Sequence, residues 1–191
     1  MQIVAFGYRK GSGKDTCAKF LTTALKLNCA GVKIRKISFA EKLKGICYQL
    51  YGWAGLGPGA YYETHRVEKE TPLPALNGAT PRDIWIKVGN ALRGVYQDTW
   101  IQCALREESG HSFGIITDVR FQNEAEIIRG LNGILIRVDR NDVEKGDDPA
   151  EVELDGFDDW DYTIDNNEDF NHLNTQLVKI GETLCHNEKE K

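Results

Sequence analysis

The residues best suited to chemistry near the start of the chain form the segment 11–16, which reads GSGKDT. Its glycines let successive backbone N–H groups turn toward one point, and such a turn binds phosphate when a helix begins directly after it. The apolar run Ile3–Phe6 before the segment predicts a buried strand, and apolar residues at helical spacing follow it. This order of strand, glycine-rich loop and helix predicts a phosphate-binding loop for a nucleotide.

Individual residues of this loop have distinct predicted roles. Lys14 is expected to reach the β- and γ-phosphates, and the Thr16 hydroxyl is the candidate ligand in the shell of a magnesium ion. Tyr8 stands where the motif GxxxxGK[ST] has its first glycine, and Asp15 stands where it has a hydroxyl. Asp15 either faces magnesium or an incoming hydroxyl, or only favours the helix N-terminus. The other residues predicted to surround the phosphates are Lys10, Gly11, Ser12 and Gly13.

Polar side chains also follow two further predicted strands. After Phe113–Thr117, the Asp118 carboxylate is suited to hold magnesium through water and Arg120 to clamp a phosphate, with a surface ion pair as the alternative. After Lys33–Phe39, Lys42 either steers an anionic substrate or belongs to a solvated helix face. Because the carboxyl ends of parallel strands share one edge of a sheet, we expect these groups to converge on the loop.

Residues 80–83 (TPRD) predict the start of a helix, with Thr80 as the N-cap and Pro81 in the first turn. Arg82 gains nothing from the helix dipole in that turn, which suggests a ligand phosphate nearby. Trp85 lies further along the same helix and either stacks on a base or packs in the core.

The alternation of predicted strands and helices indicates an α/β fold, with a mostly parallel sheet and helices on both faces. Later strands are predicted at Ile134–Val138 and Tyr162–Asp165, and a final helix at His172–Leu184 with a polar tail after it. Residues 51–79 are rich in Gly and Pro and predict a long excursion or flap. We expect a single domain over residues 1–191.

Composition limits the class of protein. A length of 191 residues, 41% apolar and 28% charged, is ordinary for a globular domain, and a net charge of −5 argues against a general nucleic-acid or membrane surface. Five cysteines without CxxC spacing predict reduced thiols, with no disulfide and no structural zinc. No run approaches the roughly 20 apolar residues that span a bilayer, and the first residues do not resemble a signal peptide.

The motifs GSGKDT, SFAEKLK, ATPRDIW, TDVRFQNEAE and DPAE…DYTIDN, in this order, resemble the phage-type deoxynucleoside monophosphate kinase family over nearly the whole chain. GKDT together with DVRF-x-NEAE is the most specific part, and the GKDT ending also resembles the GKGT of adenylate-kinase-like enzymes. The resemblance implies the three-layer P-loop kinase fold with a five-stranded sheet in the order 2-3-1-4-5. It also implies magnesium-dependent transfer of the γ-phosphoryl group of ATP to a deoxynucleoside monophosphate (dNMP).

The resemblance assigns three groups of residues. It assigns the ATP phosphates and the metal to Ser12, Lys14, Asp15 and Thr16. It assigns the acceptor phosphate or the transferring group to Arg82 and Arg120, and the dNMP pocket to Phe39 and Lys42.

The lid-like segment 141–161 departs from the family pattern. It is strongly acidic, and residues 148–151 read DPAE where similar enzymes carry a His-x-Ser-Glu-like stretch. Glu151 is expected to keep a contact with the base or sugar. The segment has no arginine to neutralise the transferring group, so Arg137 or Arg140 at its edge is expected to supply that charge.

Two other functions fit the same motifs. One is a P-loop kinase for another small acceptor, such as dephospho-coenzyme A or a sugar acid, and the other is a non-catalytic ATP-binding regulatory module. We expect no polymeric nucleic acid or membrane partner, and the aromatic flap suits a homodimer as well as a lid. The expected location is the cytoplasm, or the host cytoplasm for a viral protein.

Overall fold

The computed structural model describes residues 1–106, 110–143 and 152–189, with the backbone alone for residues 188 and 189. The strands are β1 (Gln2–Gly7), β2 (Ile34–Ile37), β3 (Phe113–Val119), β4 (Ile134–Asp139) and β5 (Tyr162–Asp165). The α-helices among the described residues are α1 (Lys14–Asn28), α2 (Phe39–Tyr51), α3 (Tyr61–Thr64), α4 (Pro81–Val95), α5 (Thr99–Leu105), α6 (Gln122–Gly130) and α7 (Phe170–Lys189). Short 3-10 helices lie at Gly52–Ala54, Arg66–Glu70 and Pro74–Leu76.

The described strands form one five-stranded sheet in the order β2-β3-β1-β4-β5. Every pairing in it is parallel, and Val4 of the central strand lies beside Ile115 of β3 and Ile134 of β4. Parallel neighbours require crossover connections, which is why helices surround the sheet. The α/β class and the strand order 2-3-1-4-5 are therefore confirmed, with a sheet that is wholly parallel.

The chain folds as two compact units, which we call the sheet unit (Met1–Ile37 and Glu108–Lys191) and the helical unit (Ser38–Glu107). In the sheet unit, Val4 and Phe6 of β1 are fully buried, as its continuous apolar sequence predicts. The helical unit has a core of its own, in which Tyr62 packs edge-to-face on Trp85 with ring centroids 5.1 Å apart. No helix among the described residues is long and apolar enough to cross a membrane.

Several element boundaries differ from the sequence predictions. Phe39 begins α2 and does not belong to β2, while β3 continues through Asp118 to Val119. The predicted excursion at residues 51–79 contains α3 and the 3-10 helices, since Gly and Pro interrupt longer helices. The short helix α5 was not predicted at all.

The last helix is longer than predicted, because α7 runs from Phe170 to Lys189 and includes part of the expected polar tail. It lies against α1, where a Cβ added at Gly181 would come within 2.9 Å of the Cβ of Ala24. Glycine at this position therefore permits the close approach of the two helices. Leu184 and Cys185 are buried and stabilise the end of the helix near the polar tail.

The prediction that all five thiols are reduced is wrong, because Cys29 and Cys185 form a disulfide. The bond joins the end of α1 to α7 across 156 residues of sequence, so the local spacing of the cysteines could not predict it. Cys17 and Cys47 are free and buried, and burial raises the pKa of their thiols to about 12 and about 11. Cys103 is free and exposed.

Replacing Cys185 by serine is expected to destabilise the oxidised protein by about 2–5 kcal/mol, since the bond closes a long loop in the unfolded chain. The measurement is urea unfolding with and without a thiol reductant, with Cys103→Ser as the matched control. Reductant should lower the midpoint of the wild type and of Cys103→Ser but leave Cys185→Ser unchanged. Alkylation of five thiols in the denatured, unreduced protein would contradict the disulfide.

Candidate active site

The loop between β1 and α1 has the backbone of a phosphate cradle. Gly11 and Gly13 adopt positive φ values of 80° and 99°, which glycine reaches without steric cost. Tyr8, which stands where the motif has its first glycine, has a φ of 94°. This is a backbone conformation that glycine adopts more readily than other residues. Gly13 is also the N-cap of α1 and no side chain caps the helix there, so the first-turn N–H groups are suited to an anion.

The side chain of Lys14 folds back over this loop. The residue is only 7% exposed, and its Nζ donates to the backbone oxygens of Tyr8 (2.9 Å) and Arg9. The same Nζ lies 3.5 Å from the Oγ of Ser12, which is 1% exposed. The ammonium group therefore lies within the turn of the loop, where the sequence predicts the nucleotide phosphates.

The Asp15 carboxylate is tied to the neighbouring strands. Its Oδ1 accepts a hydrogen bond from the Thr117 hydroxyl (3.0 Å) and lies 3.5 Å from Nζ of Lys36. Lys36 and Asp15 are both largely exposed, so their ion pair contributes little stability. Thr117 is buried and fixes the carboxylate beside the end of β3, a contact that the sequence analysis missed.

The segment that follows β3 is held by a buried carboxylate. Glu124 is 1% exposed, and its Oε2 accepts from the backbone N–H groups of Arg120 (2.9 Å) and Phe121 (3.2 Å). Arg120 and Asp118 are both half-buried. The sequence singled out Asp118 and Arg120 but not Glu124, which fixes the backbone that presents Arg120.

A further residue that the sequence analysis missed, Asn166, lies in the segment after β5 and stabilises the phosphate loop. Its Nδ2 donates to the backbone oxygen of Ser12 at 2.7 Å, and its backbone N–H donates to the oxygen of Asp139 at 2.9 Å. A Cβ added at Gly13 would lie 2.3 Å from this Nδ2. Glycine at position 13 therefore permits the close approach of the Asn166 amide to the loop.

Replacing Asn166 by alanine is expected to weaken ATP binding about tenfold, because the Ser12 carbonyl loses its partner and the loop loses an anchor. Isothermal titration of ATP into each variant measures the change. Asn171→Ala, at an exposed position near the start of α7, is the control. An unchanged dissociation constant in Asn166→Ala would show that the loop holds its shape without this amide.

A cavity of about 420 Å³ opens beside the loop in the sheet unit. The guanidinium carbon of Arg137 lies 4.1 Å from the ring centroid of Tyr8, and its Nε donates to Oδ1 of Asp139 at 2.6 Å. Tyr8 thus carries a cation–π contact that accompanies its unusual backbone conformation. The residues lining the cavity are Tyr8, Arg9, Arg137, Asp139, Arg140, Asn141, Thr163, Asp165 and Asn167.

An ion pair links the predicted lid-like segment to the loop. Nη2 of Arg9 lies 3.0 and 3.2 Å from the two carboxylate oxygens of Asp155, and this hydrogen bonding raises the pKa of the arginine. Glu151, expected to contact the base or sugar, lies outside the described residues. Lys10 and Gly11 are exposed on the same loop, and Thr16 is half-buried in the first turn of α1.

The helical unit carries a cluster of cationic side chains near the start of α4. The helix start predicted at residues 80–83 is confirmed, with a capping box between Thr80 and Asp83. Arg82, between them in the sequence, pairs through Nε with Oε1 of Glu70. Lys44 lies 3.2 Å from Oε1 of Glu63. Lys69 feels the charges of Lys44, Arg66 and Arg82, and we call these four residues the cationic cluster.

The charges of this cluster act on one another. Partial burial and then repulsion from Lys44 lower the pKa of Lys69, with further lowering by Arg66 and Arg82 against an opposing contribution from Glu63. A bound dianion would relieve this repulsion. Lys44 and Arg82 already pair with Glu63 and Glu70, so we predict that a phosphate group would bind here in competition with these carboxylates.

The remaining predicted acceptor residues of the helical unit have different exposures. Phe39 is 4% exposed and Lys42 is exposed. Trp85 is 9% exposed within the core, and Nζ of Lys44 lies 5.3 Å from its ring centroid. A direct contact of Phe39, Lys42 or Trp85 with a substrate stays a prediction.

Comparison with known proteins gives one informative match. No family model matches this chain. A protein of Acanthamoeba polyphaga mimivirus named "Putative deoxynucleotide monophosphate kinase" is 34% identical to it, and the similarity covers 88% of this chain and 90% of the viral protein.

Proposed function

Because this chain belongs to a family of deoxynucleotide monophosphate kinase-like proteins, we propose that it transfers the γ-phosphoryl group of ATP to a dNMP, giving ADP and a deoxynucleoside diphosphate. The observation that carries the proposal is the presence of two separate groups of cations. One surrounds the phosphate loop at Lys14, and the other is the cationic cluster of the helical unit. A protein that only binds ATP would not need the second group for that binding.

The donor nucleotide is assigned to the sheet unit. The loop N–H groups, Lys14 and the Ser12 hydroxyl would hold its phosphates, while the cavity beside Tyr8 would receive the rest of the nucleotide. Arg137 and Arg140 line that cavity, which supports their predicted contact with ATP.

Magnesium fits the polar groups beside the loop. Thr16 would supply a hydroxyl from the first turn of α1, and Asp118 remains the predicted carboxylate ligand, held through water near the end of β3. Oxygen ligands of this kind are those that magnesium prefers. When bound with ATP, the ion would neutralise charge on the β- and γ-phosphates.

The acceptor dNMP is assigned to the helical unit. Its 5′-phosphate is a dianion, which the cationic cluster would bind with Arg82 as the central contact. Phe39 and Lys42 remain predicted to line the dNMP pocket, and Trp85 either stacks on the base or packs in the core. Arg120 would serve the acceptor phosphate or the transferring group from the segment after β3.

The reaction requires positioning and charge neutralisation more than covalent catalysis. An oxygen of the acceptor phosphate attacks the γ-phosphorus, and the bond to the β–γ bridging oxygen breaks, so that ADP leaves with the electron pair. The attacking oxygen is already anionic and needs no strong general base. Lys14 and Arg120 would neutralise charge that develops on the transferred group.

A coupled assay of ADP release tests the proposal. ATP and magnesium are incubated with each of dAMP, dCMP, dGMP and dTMP, with the four ribonucleotides, and with dephospho-coenzyme A and a sugar acid. We expect turnover with at least one dNMP above the rate without acceptor. Turnover with only a non-nucleotide acceptor would reassign the substrate, and ATP binding without any transfer would indicate a regulatory module.

A further inference from the structure

A second cavity, of about 340 Å³, lies within the helical unit and next to the cationic cluster. Pro81 lines it, and Arg82 of the cluster is the next residue. Glu68 lines it as well and is followed in the same 3-10 helix by Lys69. The residues around the cavity are Gly55, Gly57, Pro58, Tyr61, Tyr62, Glu68, Thr71, Leu73 and Pro81.

Aromatic side chains form part of the cavity wall. Tyr62 is 3% exposed, and its hydroxyl oxygen accepts from the backbone N–H of Gly57 at 2.9 Å. Its edge-to-face packing on Trp85 also fixes the position of the ring. Tyr61 stacks on the His65 ring with centroids 4.1 Å apart. Aromatic walls of this kind bind flat, partly apolar groups such as nucleobases.

A carboxylate is the polar group that distinguishes this wall. The Tyr61 hydroxyl donates to Oε2 of Glu68 at 2.5 Å, and this hydrogen bond raises the pKa of the tyrosine. The Tyr61 hydroxyl therefore holds the carboxylate of Glu68 in one orientation. An ionised carboxylate only accepts hydrogen bonds, so its ligand must present N–H or O–H groups.

The four DNA bases differ in the donors that they offer to such a group. Guanine presents the adjacent N1–H and N2–H donors, which match the two oxygens of a carboxylate. Adenine places a lone pair at N1 beside its amino group, and cytosine places one at N3. Thymine has a single N3–H between two carbonyl oxygens, which a carboxylate repels.

We propose that this cavity binds the base of the acceptor nucleotide and that Glu68 selects guanine, which makes dGMP the preferred substrate. The inference rests on the proposed kinase function and adds a base-reading residue to it. The 3-10 helix Arg66–Glu70 links the two parts of the site, because Glu68 lines the base cavity while Arg66 and Lys69 belong to the cationic cluster.

The test compares kcat/KM for the four dNMPs and for dIMP, which lacks the N2 amino group, between the wild type and Glu68→Gln. In the wild type, kcat/KM is expected to be about tenfold or more higher for dGMP than for the other three dNMPs. It is expected to be about tenfold lower for dIMP than for dGMP, because a bidentate contact of this kind discriminates strongly. Glu68→Gln is expected to lower kcat/KM for dGMP about 30-fold and to erase the difference between dGMP and dIMP. Circular dichroism of Glu68→Gln checks that the variant is folded, and its kcat/KM for the other dNMPs is expected to stay unchanged.

Glu182→Gln, on the exposed side of α7, is the matched control and should match the wild type with every base. Turnover of dNMPs without a guanine preference, or an equal loss with every base in Glu68→Gln, would overturn the inference and leave the kinase function standing. Absence of turnover with every dNMP in the wild type would instead overturn the proposed function on which the inference rests.

Discussion

Replacing Lys14 by alanine is expected to lower the turnover number with ATP and a dNMP about a thousandfold, since the lysine lies within the loop that is proposed to hold the transferred phosphoryl group. Its Nζ lies within the phosphate loop, bonded to the oxygens of Tyr8 and Arg9 and close to the Ser12 hydroxyl. Truncation removes the charge and the hydrogen bonds from Nζ to both oxygens, of which the Arg9 oxygen still accepts from the Ser12 N–H at 3.4 Å. Steady-state assays at saturating ATP and dNMP measure the turnover number.

The control for this variant is Lys26→Ala, which removes a lysine from the exposed end of the same helix. It should keep the wild-type turnover number. Circular dichroism of Lys14→Ala checks that the fold survives the loss of the loop contacts. A folded Lys14→Ala protein with turnover close to that of the wild type would contradict the assignment of the loop as the donor site.

Replacing Arg82 by alanine is expected to lower kcat/KM for the dNMP about a hundredfold, because the acceptor phosphate loses a charge-assisted contact. The Michaelis constant for ATP should stay unchanged, since ATP is assigned to the sheet unit. The measurement is a pair of titrations, one with varied dNMP and one with varied ATP. An increase confined to the Michaelis constant for ATP would contradict the assignment.

Two further variants distinguish a direct contact of Arg82 from an effect of net charge. Glu70 is its ion-pair partner, so Glu70→Gln should release the guanidinium group and lower the Michaelis constant for the dNMP. Lys87→Ala removes an exposed charge from the same helix and should have no effect. If Lys87→Ala matched the loss in Arg82→Ala, the effect would come from the net charge of the unit and not from one contact.

Much of the fold could be predicted from the sequence because its signals are local. The apolar run of β1, the capping box at Thr80 and the strand–loop–helix order at residues 3–16 each involve neighbours in the chain. The strand order came from the resemblance to a family, not from the spacing of apolar residues. The Cys29–Cys185 disulfide was missed because its two residues become neighbours only when α7 packs on α1.

The candidate site could be predicted in part, for the same physical reason. Lys14 and the glycines of the loop lie in one short motif that specifies its own geometry. Asn166 and Thr117 bind Ser12 and Asp15, which lie more than 100 residues away in the sequence. No local sequence pattern could therefore predict these two contacts. The departure at Tyr8 is accommodated by a positive φ and a stack with Arg137, which a motif alone does not reveal.

The central claim is that this chain moves a phosphoryl group from ATP to a dNMP, and label transfer tests it most directly. ATP labelled in the γ-phosphoryl group is incubated with magnesium and an equal mixture of the four dNMPs, and the nucleotides are separated by chromatography. The account predicts label in a deoxynucleoside diphosphate with the wild type and none above background with Lys14→Ala. Label that stays in ATP, or appears only as inorganic phosphate, while the wild type binds ATP would contradict it.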